Sequence, residues 1–288
     1  MIKIKTLGLL ANPTKPDGLA LGKRAIGACA RFGICALPGP GIAQGGMQEI
    51  TMETLRAEAD ALVVIGGDGT ILRAVRDMGD TLLPILGVNS GTLGFLAECA
   101  PTNIERAIQG LAEGAYMLEQ RMLLSAGING STAHYTALND VVASRGHFSR
   151  TLRVDVHVDG SLATAYIGDG CIIASPTGST AYALSSGGPI VSPDLRCIII
   201  TPICPHTLSS RTMVVPADAK IRLILRPREG DDGGIVLAVD GGKQCVFGDV
   251  AEITVQRGKQ DLPFIRFGDE LFFSLLRRKL TQWGEGGV

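Results

Sequence analysis

The chain has 288 residues, 45% hydrophobic and 19% charged, with a formal net charge of −1. This suits one large or two ordinary domains with a sizeable core, and it excludes gross disorder. Without a long basic run it argues against nucleic acid as a partner, and no run approaches the roughly 18 apolar residues that span a bilayer.

In chain order, residues 2–10 read as a first strand closed by Asn12-Pro13, its apolar part too short for a signal-peptide core. Residues 18–32 read as a helix, 34–37 as a short strand, 38–46 as a Gly/Pro-rich loop and 52–58 as a short helix. An apolar strand, 61–65, runs into Gly66-Gly67-Asp68-Gly69-Thr70, and Ile71, Leu72, Val75 and Met78 follow at helical spacing. Residues 82–88 form another strand, opening into Asn89-Ser90-Gly91-Thr92-Leu93-Gly94. Strands alternating with helices predict a parallel, doubly wound sheet, where ligands bind beyond the carboxyl ends of the strands. After about residue 120 the period becomes two. Residues 152–158 and 161–167 flank Asp159-Gly160, a hairpin with a primed turn. Further strands are expected at 171–174, 196–201, 220–225, 234–240 and 250–256, and a terminal helix at 271–280. That helix has an apolar face of Leu271, Phe272, Leu275, Leu276 and Leu280.

The Gly66 to Thr70 string is the most informative. Strand, glycine turn and helix present backbone N–H groups and a helix N-terminus to phosphate. A carboxylate at the centre of such a turn repels a phosphate unless it handles a proton or hydroxyl beside it. That points to phosphoryl transfer, although Asp68 alone reads equally well as a cap on the following helix. Asn139-Asp140 suits a carboxamide or ribose, or a plain turn. Pro176-Thr177-Gly178-Ser179-Thr180-Ala181-Tyr182 lets a ligand approach the backbone, with hydroxyls to orient it. Asp169 and Asp240 precede glycines and read in isolation as turn aspartates. No G-x-x-x-x-G-K-[ST] or G-x-G-x-x-G string occurs, and four histidines without H-E-x-x-H spacing indicate no metal site. Seven cysteines without a C-x-x-C pattern fit a reducing cytoplasm.

Together, GGDGT (66–70), NSGTLGFL (89–96), ND (139–140), PTGSTAYALSSGGPIVSP (176–193), PICPHTLSSR (202–211) and VDG (239–241) resemble the NAD kinases, which phosphorylate the adenosine ribose 2′-hydroxyl of NAD. The resemblance covers nearly the whole chain. It implies an α/β N-terminal domain with a doubly wound, Rossmann-like or phosphofructokinase-like sheet (1–105), an all-β sandwich domain (106–265) and a C-terminal helix packing back on the first domain (266–288). It implies that Asp68 accepts the hydroxyl proton and that Asp68, Gly69 and Arg73 line the NAD site. Asn139 and Asp140 would hold the adenosine part, with Arg150 near the new phosphate. Asp169, Thr180, Ala181, Tyr182 and Ser185 would complete the dinucleotide pocket. Gly66, Gly67, Gly69, Thr70, Asn89, Gly91 and Thr92 would take the phosphates of ATP, which brings its own divalent metal, Mg2+. NAD and ATP are the expected partners, with no membrane, and a homo-oligomer, dimer or tetramer, is expected.

Three positions depart from the family pattern. Asp140 stands where glutamate is frequent, Ile167 where a basic residue is common and Gly242 where glutamine is common. Two other functions share parts of this pattern. A lipid kinase of the diacylglycerol or sphingosine type would resemble P-x-G-T-x-N-D after the 82–88 strand, unlike Asn89 to Phe95. A non-catalytic NAD(P)-binding sensor has no use for an intact Asp68.

Overall fold

In a computed structural model the chain divides into two units, Met1–Gln120 with Leu262–Val288, and Arg121–Asp261. The structure describes residues 3–43, 48–90, 94–97, 99–146, 151–207, 209–227, 234–268 and 272–285.

The first unit is α/β. Its elements are β1 (Thr6–Ala11), α1 (Pro16–Phe32), β2 (Cys35–Pro38), α2 (Met52–Glu58), β3 (Ala61–Gly66), α3 (Asp68–Met78), β4 (Ile85–Asn89) and α4 (Ile104–Glu113). The strands run parallel in the order β2-β1-β3-β4. Beyond β4, Phe264 pairs in parallel with Ile85. Every residue of β3 and β4 is buried, as expected of parallel strands covered on both faces. Leu7, Leu9, Val63 and Ile65 share a core with Ala25 and Ala28 of α1 and Ile108 and Leu111 of α4. The alternate positions turn to the other helices: Gly8 lies against Leu55 of α2, and Gly87 against Ile71 of α3.

The second unit is built of antiparallel strands. Its strands are β5 (Met117–Ile128, which begins in the first unit), β6 (His134–Ala137), β7 (Asp140–Arg145), β8 (Leu152–Val158), β9 (Ser161–Gly168), β10 (Gly170–Ala174), β11 (Cys197–Ile203), β12 (Met213–Pro216), β13 (Ile221–Pro227), β14 (Ile235–Val239), β15 (Gly242–Phe247) and β16 (Ala251–Arg266). The order β16-β13-β8-β9, joined by β5 and β6, makes one layer, and β12-β11-β10-β7-β14-β15 the other. Val154, Val156, Leu223 and Ile253 from one layer share a core with Val141, Ile173, Ile200 and Leu237 from the other. Alternating side chains put these residues inward, which is the logic of a sandwich. Asp159 (φ 50°) and Gly160 (φ 84°) make the expected primed turn between β8 and β9.

Several elements differ from expectation. α4 is not among the expected ones, although Ile104, Ala107, Ile108 and Leu111 are buried at helical spacing. It packs on α1, so residues 106–120 go with the first unit and the division falls at 120/121 and 261/262. β5, β6, β7, β12 and β15 are additional strands, and β16 runs ten residues past the expected end because its polar stretch around Arg257 to Asp261 hides the period. The terminal helix, α6 (Phe272–Glu285; α5 is the single turn Tyr182–Ser185), lies in the first unit. Its buried stripe is not the expected one. Leu276 and Lys279 are each 9% exposed, whereas Leu280 is 42% exposed. Positions i+3, i+4 and i+7 from Phe272 are Leu275, Leu276 and Lys279, and Leu280, at i+8, lies on the exposed edge of the stripe. Leu271 lies outside the described residues. No described helix is long and apolar enough to cross a membrane.

Leu276→Ala should therefore destabilise the protein by about 2 kcal/mol or more, and Leu280→Ala by no more than about 0.5 kcal/mol. Urea denaturation of both variants checks the assignment, and equal losses would refute it.

Candidate active site

Gly66 ends β3 and Gly67, in extended conformation, precedes α3. A Cβ on Gly66 would overlap the Thr70 side chain, so the turn closes only with glycine there. The Thr70 and Ile71 N–H groups donate to the Gly67 carbonyl. No side chain caps α3 at Gly67. Asp68 instead reaches across to the loop after β4. The Phe95 N–H donates to its Oδ2 at 2.8 Å and the Leu96 N–H to its Oδ1 at 3.1 Å. A Cβ on Gly94 would overlap the same carboxylate. Each oxygen takes one of these N–H groups and has lone-pair capacity left for a further donor.

Beside this turn, the Ser90 N–H donates to the Gly66 carbonyl and ties the ends of β3 and β4 together. Asn89 is buried at the end of β4, and its N–H donates to the Cys99 carbonyl. The buried Ser90 Oγ has no hydrogen-bond partner among the described residues. Gly69, Thr70 and Arg73 line a cleft of about 190 Å³ with Asn12, Pro13 and Pro40. The cleft opens past the carboxyl ends of β1 and β3. The chain crosses from β1 to β2 on one side and returns to β3 on the other, so this is the switch point of the sheet. The exposed Arg73 lies 3.5 Å from Asp77, a pair worth little in water. A larger cavity, about 560 Å³, lies beside α4 and contains none of the expected residues. Gly91 and Thr92 lie outside the described residues, as does Arg150.

In the second unit three distant strings meet. Asp240, at φ 48°, turns β14 into β15. Its carboxylate accepts the N–H groups of Leu138 (2.8 Å), Asn139 (2.7 Å) and Asp140 (3.1 Å). The Ser175 hydroxyl donates to the Leu138 carbonyl, and the Ser175 N–H to that of Asn139. Gly178 lies so close to the Asn139 backbone that a Cβ would overlap it. Thr177, Gly178, Ser179 and Thr180 form one buried turn, pinned where the Ser179 Oγ bonds both backbone groups of Val191. Ala181 and Tyr182 follow, with Tyr182 46% exposed and Ser185 exposed beyond it. Asn139, Asp140, Thr180, Ala181 and Tyr182 therefore share one neighbourhood. Asp169 does not. In the β7–β10 ladder Gly170 pairs with Ser144 and Ala174 with Asp140, which puts Asp169 at the opposite end, roughly 15 Å away along the strand. There it forms an ion pair with Arg145 at 3.0 Å.

Burial pushes the Asp140 carboxyl up to about 7, and the charge of Asp240 adds to the shift. Three residues carry roles that residue type alone did not indicate. Asp240 is the clamp of the Asn139-Asp140 turn, not an ordinary turn aspartate. Arg121 is buried, with its Nη1 3.4 Å from the Thr177 Oγ1. Lys279 is buried in the first unit over the Phe95 ring. A charged residue inside an apolar run, as at 121–124, and a lysine in a helical stripe were the available signals. Among the described residues no three His, Cys, Asp or Glu side chains gather to hold a metal ion.

A carboxyl that holds its proton more tightly folded than unfolded gives stability that is complete below its unfolded pKa, about 3.9, and is lost as pH rises through about 7. Asp140→Asn removes that loss. Its melting temperature should exceed the wild-type value at pH 8, with the gap closing toward pH 4. A gap that does not change with pH would contradict the assignment.

Residues 46–116 match the family model of the ATP-NAD kinase N-terminal domain and residues 138–267 that of the ATP-NAD kinase C-terminal domain. The curated NAD kinase of Syntrophotalea carbinolica is 36% identical over 290 residues, covering 98% of this chain and 100% of that one. The NAD kinase of Moorella thermoacetica is 44% identical over 228 residues, 78% of this chain and 72% of its own. Among solved structures, an NAD kinase from Archaeoglobus fulgidus in complex with ATP is similar at a TM-score of 0.76 and 27% identity, covering 96% of this chain and 98% of that one. Yeast NADH kinase complexed with NADH shares the fold at a TM-score of 0.87 and 24% identity, covering 98% of this chain and 88% of that one. The chain belongs to the NAD kinase family of phosphotransferases.

Proposed function

We propose that Asp68 is the general base of a transfer from ATP to NAD. The 2′-hydroxyl oxygen of the adenosine ribose bonds to the γ-phosphorus. The bond from that phosphorus to the β,γ-bridging oxygen breaks, ADP leaves, and Asp68 takes the hydroxyl proton. The observation that carries this reading is the Asp68 carboxylate, fixed by the Phe95 and Leu96 N–H groups beside a glycine turn. A ribose hydroxyl is a poor nucleophile, and a carboxylate already oriented beside it lowers the cost of the proton transfer. ATP as donor is supported by the Archaeoglobus fulgidus relative, which was solved with ATP.

In the first unit Gly66, Gly67, Gly69, Thr70 and Asn89 take the phosphates, and Gly69 and Arg73 also line the NAD site. In the second, Asn139 and Asp140 hold the adenosine part, with Thr180, Ala181, Tyr182 and Ser185 around it. Asp169, at the far end of β10, takes the part of the dinucleotide remote from the adenosine. A magnesium ion would fit as one carried in on the triphosphate. Held mainly by phosphate oxygens and water, it needs no cluster of protein carboxylates. When bound it neutralises charge on the donor phosphates. We place the reaction in the cytoplasm, the compartment that the cysteine pattern suits.

Asp68→Asn should lower kcat by about 10²- to 10⁴-fold while NAD still binds, measured by steady-state kinetics and calorimetry. A variant keeping more than about a tenth of wild-type kcat would give Asp68 a structural role only. Asn139→Ala and Tyr182→Ala should each raise the KM for NAD far more than that for ATP, since they lose an amide and a stacking ring. An unchanged KM for NAD in both folded variants would remove them from the site.

A further inference from the structure

The terminal helix α6 buries a lysine where its stripe calls for an apolar residue. Lys279 is 9% exposed, like Leu276 one turn earlier. Its Nζ lies 4.6 Å from the centroid of the Phe95 ring. The backbone N–H of that same Phe95 donates to the Asp68 carboxylate, and Gly94 packs on the carboxylate with no room for a Cβ. One side chain thus connects α6 to the loop that orients Asp68.

Burying an ammonium is costly, and leucine or methionine would anchor the helix without that cost. Two features offset it here. The ring face attracts a cation, and while burial, helped by the charge of Arg278, holds the Lys279 ammonium below the usual lysine range, the Asp68 charge opposes that lowering. Among the described residues, Arg266 also reaches the loop, its Nη1 3.5 Å from the Leu96 carbonyl, with Glu119 as its ion-pair partner.

We propose that Lys279 is a positioning residue for phosphoryl transfer: stacked on Phe95, its ammonium holds the 94–96 loop so that the Asp68 carboxylate stays aimed at the hydroxyl. The inference rests on Asp68 acting as the base. It also gives the terminal helix a part in the reaction.

The test compares full-length Lys279→Met, Lys279→Arg and Asp68→Asn in steady-state kinetics with ATP, magnesium and NAD, with thermal melts of each. Lys279→Met should lower kcat by about 10-fold or more, because small misplacements of a reacting group are expensive, and leave the KM values for NAD and ATP within about threefold. Lys279→Arg keeps a cation that stacks on rings and should retain at least about a third of kcat. Should the Met variant fail to fold, Lys279→Gln takes its place with the same expected split. A neutral variant with kcat within about twofold of wild type, or an Arg variant as impaired as the neutral one, would overturn the inference. If that happens while Asp68→Asn is inactive, the base assignment stands and only the role of Lys279 falls. If Asp68→Asn keeps more than about a tenth of kcat, the base assignment falls and this inference with it.

Discussion

Two backbone N–H groups, those of Phe95 and Leu96, decide where the Asp68 carboxylate points. Much of the first unit follows from making that contact possible. β3 and β4 must end side by side, which the Ser90 to Gly66 hydrogen bond secures. The loop after β4 must close over the start of α3, which requires a residue without a Cβ at 94. The sheet beneath must be rigid, and it is: its central strands are buried on both faces. A carboxylate held by backbone donors loses little orientational freedom when a substrate arrives. That is the physical content of preorganisation.

The second unit solves a different problem with the same chemistry. Asp240 accepts three successive N–H groups and so fixes a turn some hundred residues earlier in the chain. The arrangement sets Asp140 near another carboxylate in a buried place, where its ionised form is disfavoured. Folding gains nothing from that pairing. Perturbed carboxylates of this kind concentrate at functional sites, where binding a polar ligand repays the cost. The turn of residues 177–180 is built onto the same backbone through Ser175 and Gly178. Sequence strings far apart therefore become one surface.

Local signals were legible in the sequence. The glycine turn at 66–70 announced itself because strand, turn and helix are contiguous, and Asp159-Gly160 did so because a primed turn needs two left-handed residues. Contacts at long range were not legible. Asp240 looks like any aspartate before glycine, and nothing in its neighbours says that its carboxylate serves residues 138–140. Lys279 and Leu280 show the same limit in a helix. Hydropathy put Leu280 on the buried face, and helical phase put Lys279 there, because an aromatic face and a carboxylate make a buried ammonium tolerable. Asp169 stands apart from Asn139 and Asp140 because the register of β7 and β10, invisible in the sequence, sets them at opposite ends.

The most direct measurement is of the product itself. Purified full-length protein is incubated with ATP, magnesium and NAD, and the mixture is followed by phosphorus NMR with proton correlation. The account predicts a new phosphomonoester coupled to the 2′-proton of the adenosine ribose, accumulating one for one with ADP. ADP without a phosphorylated dinucleotide, or phosphate on a different hydroxyl, would contradict it.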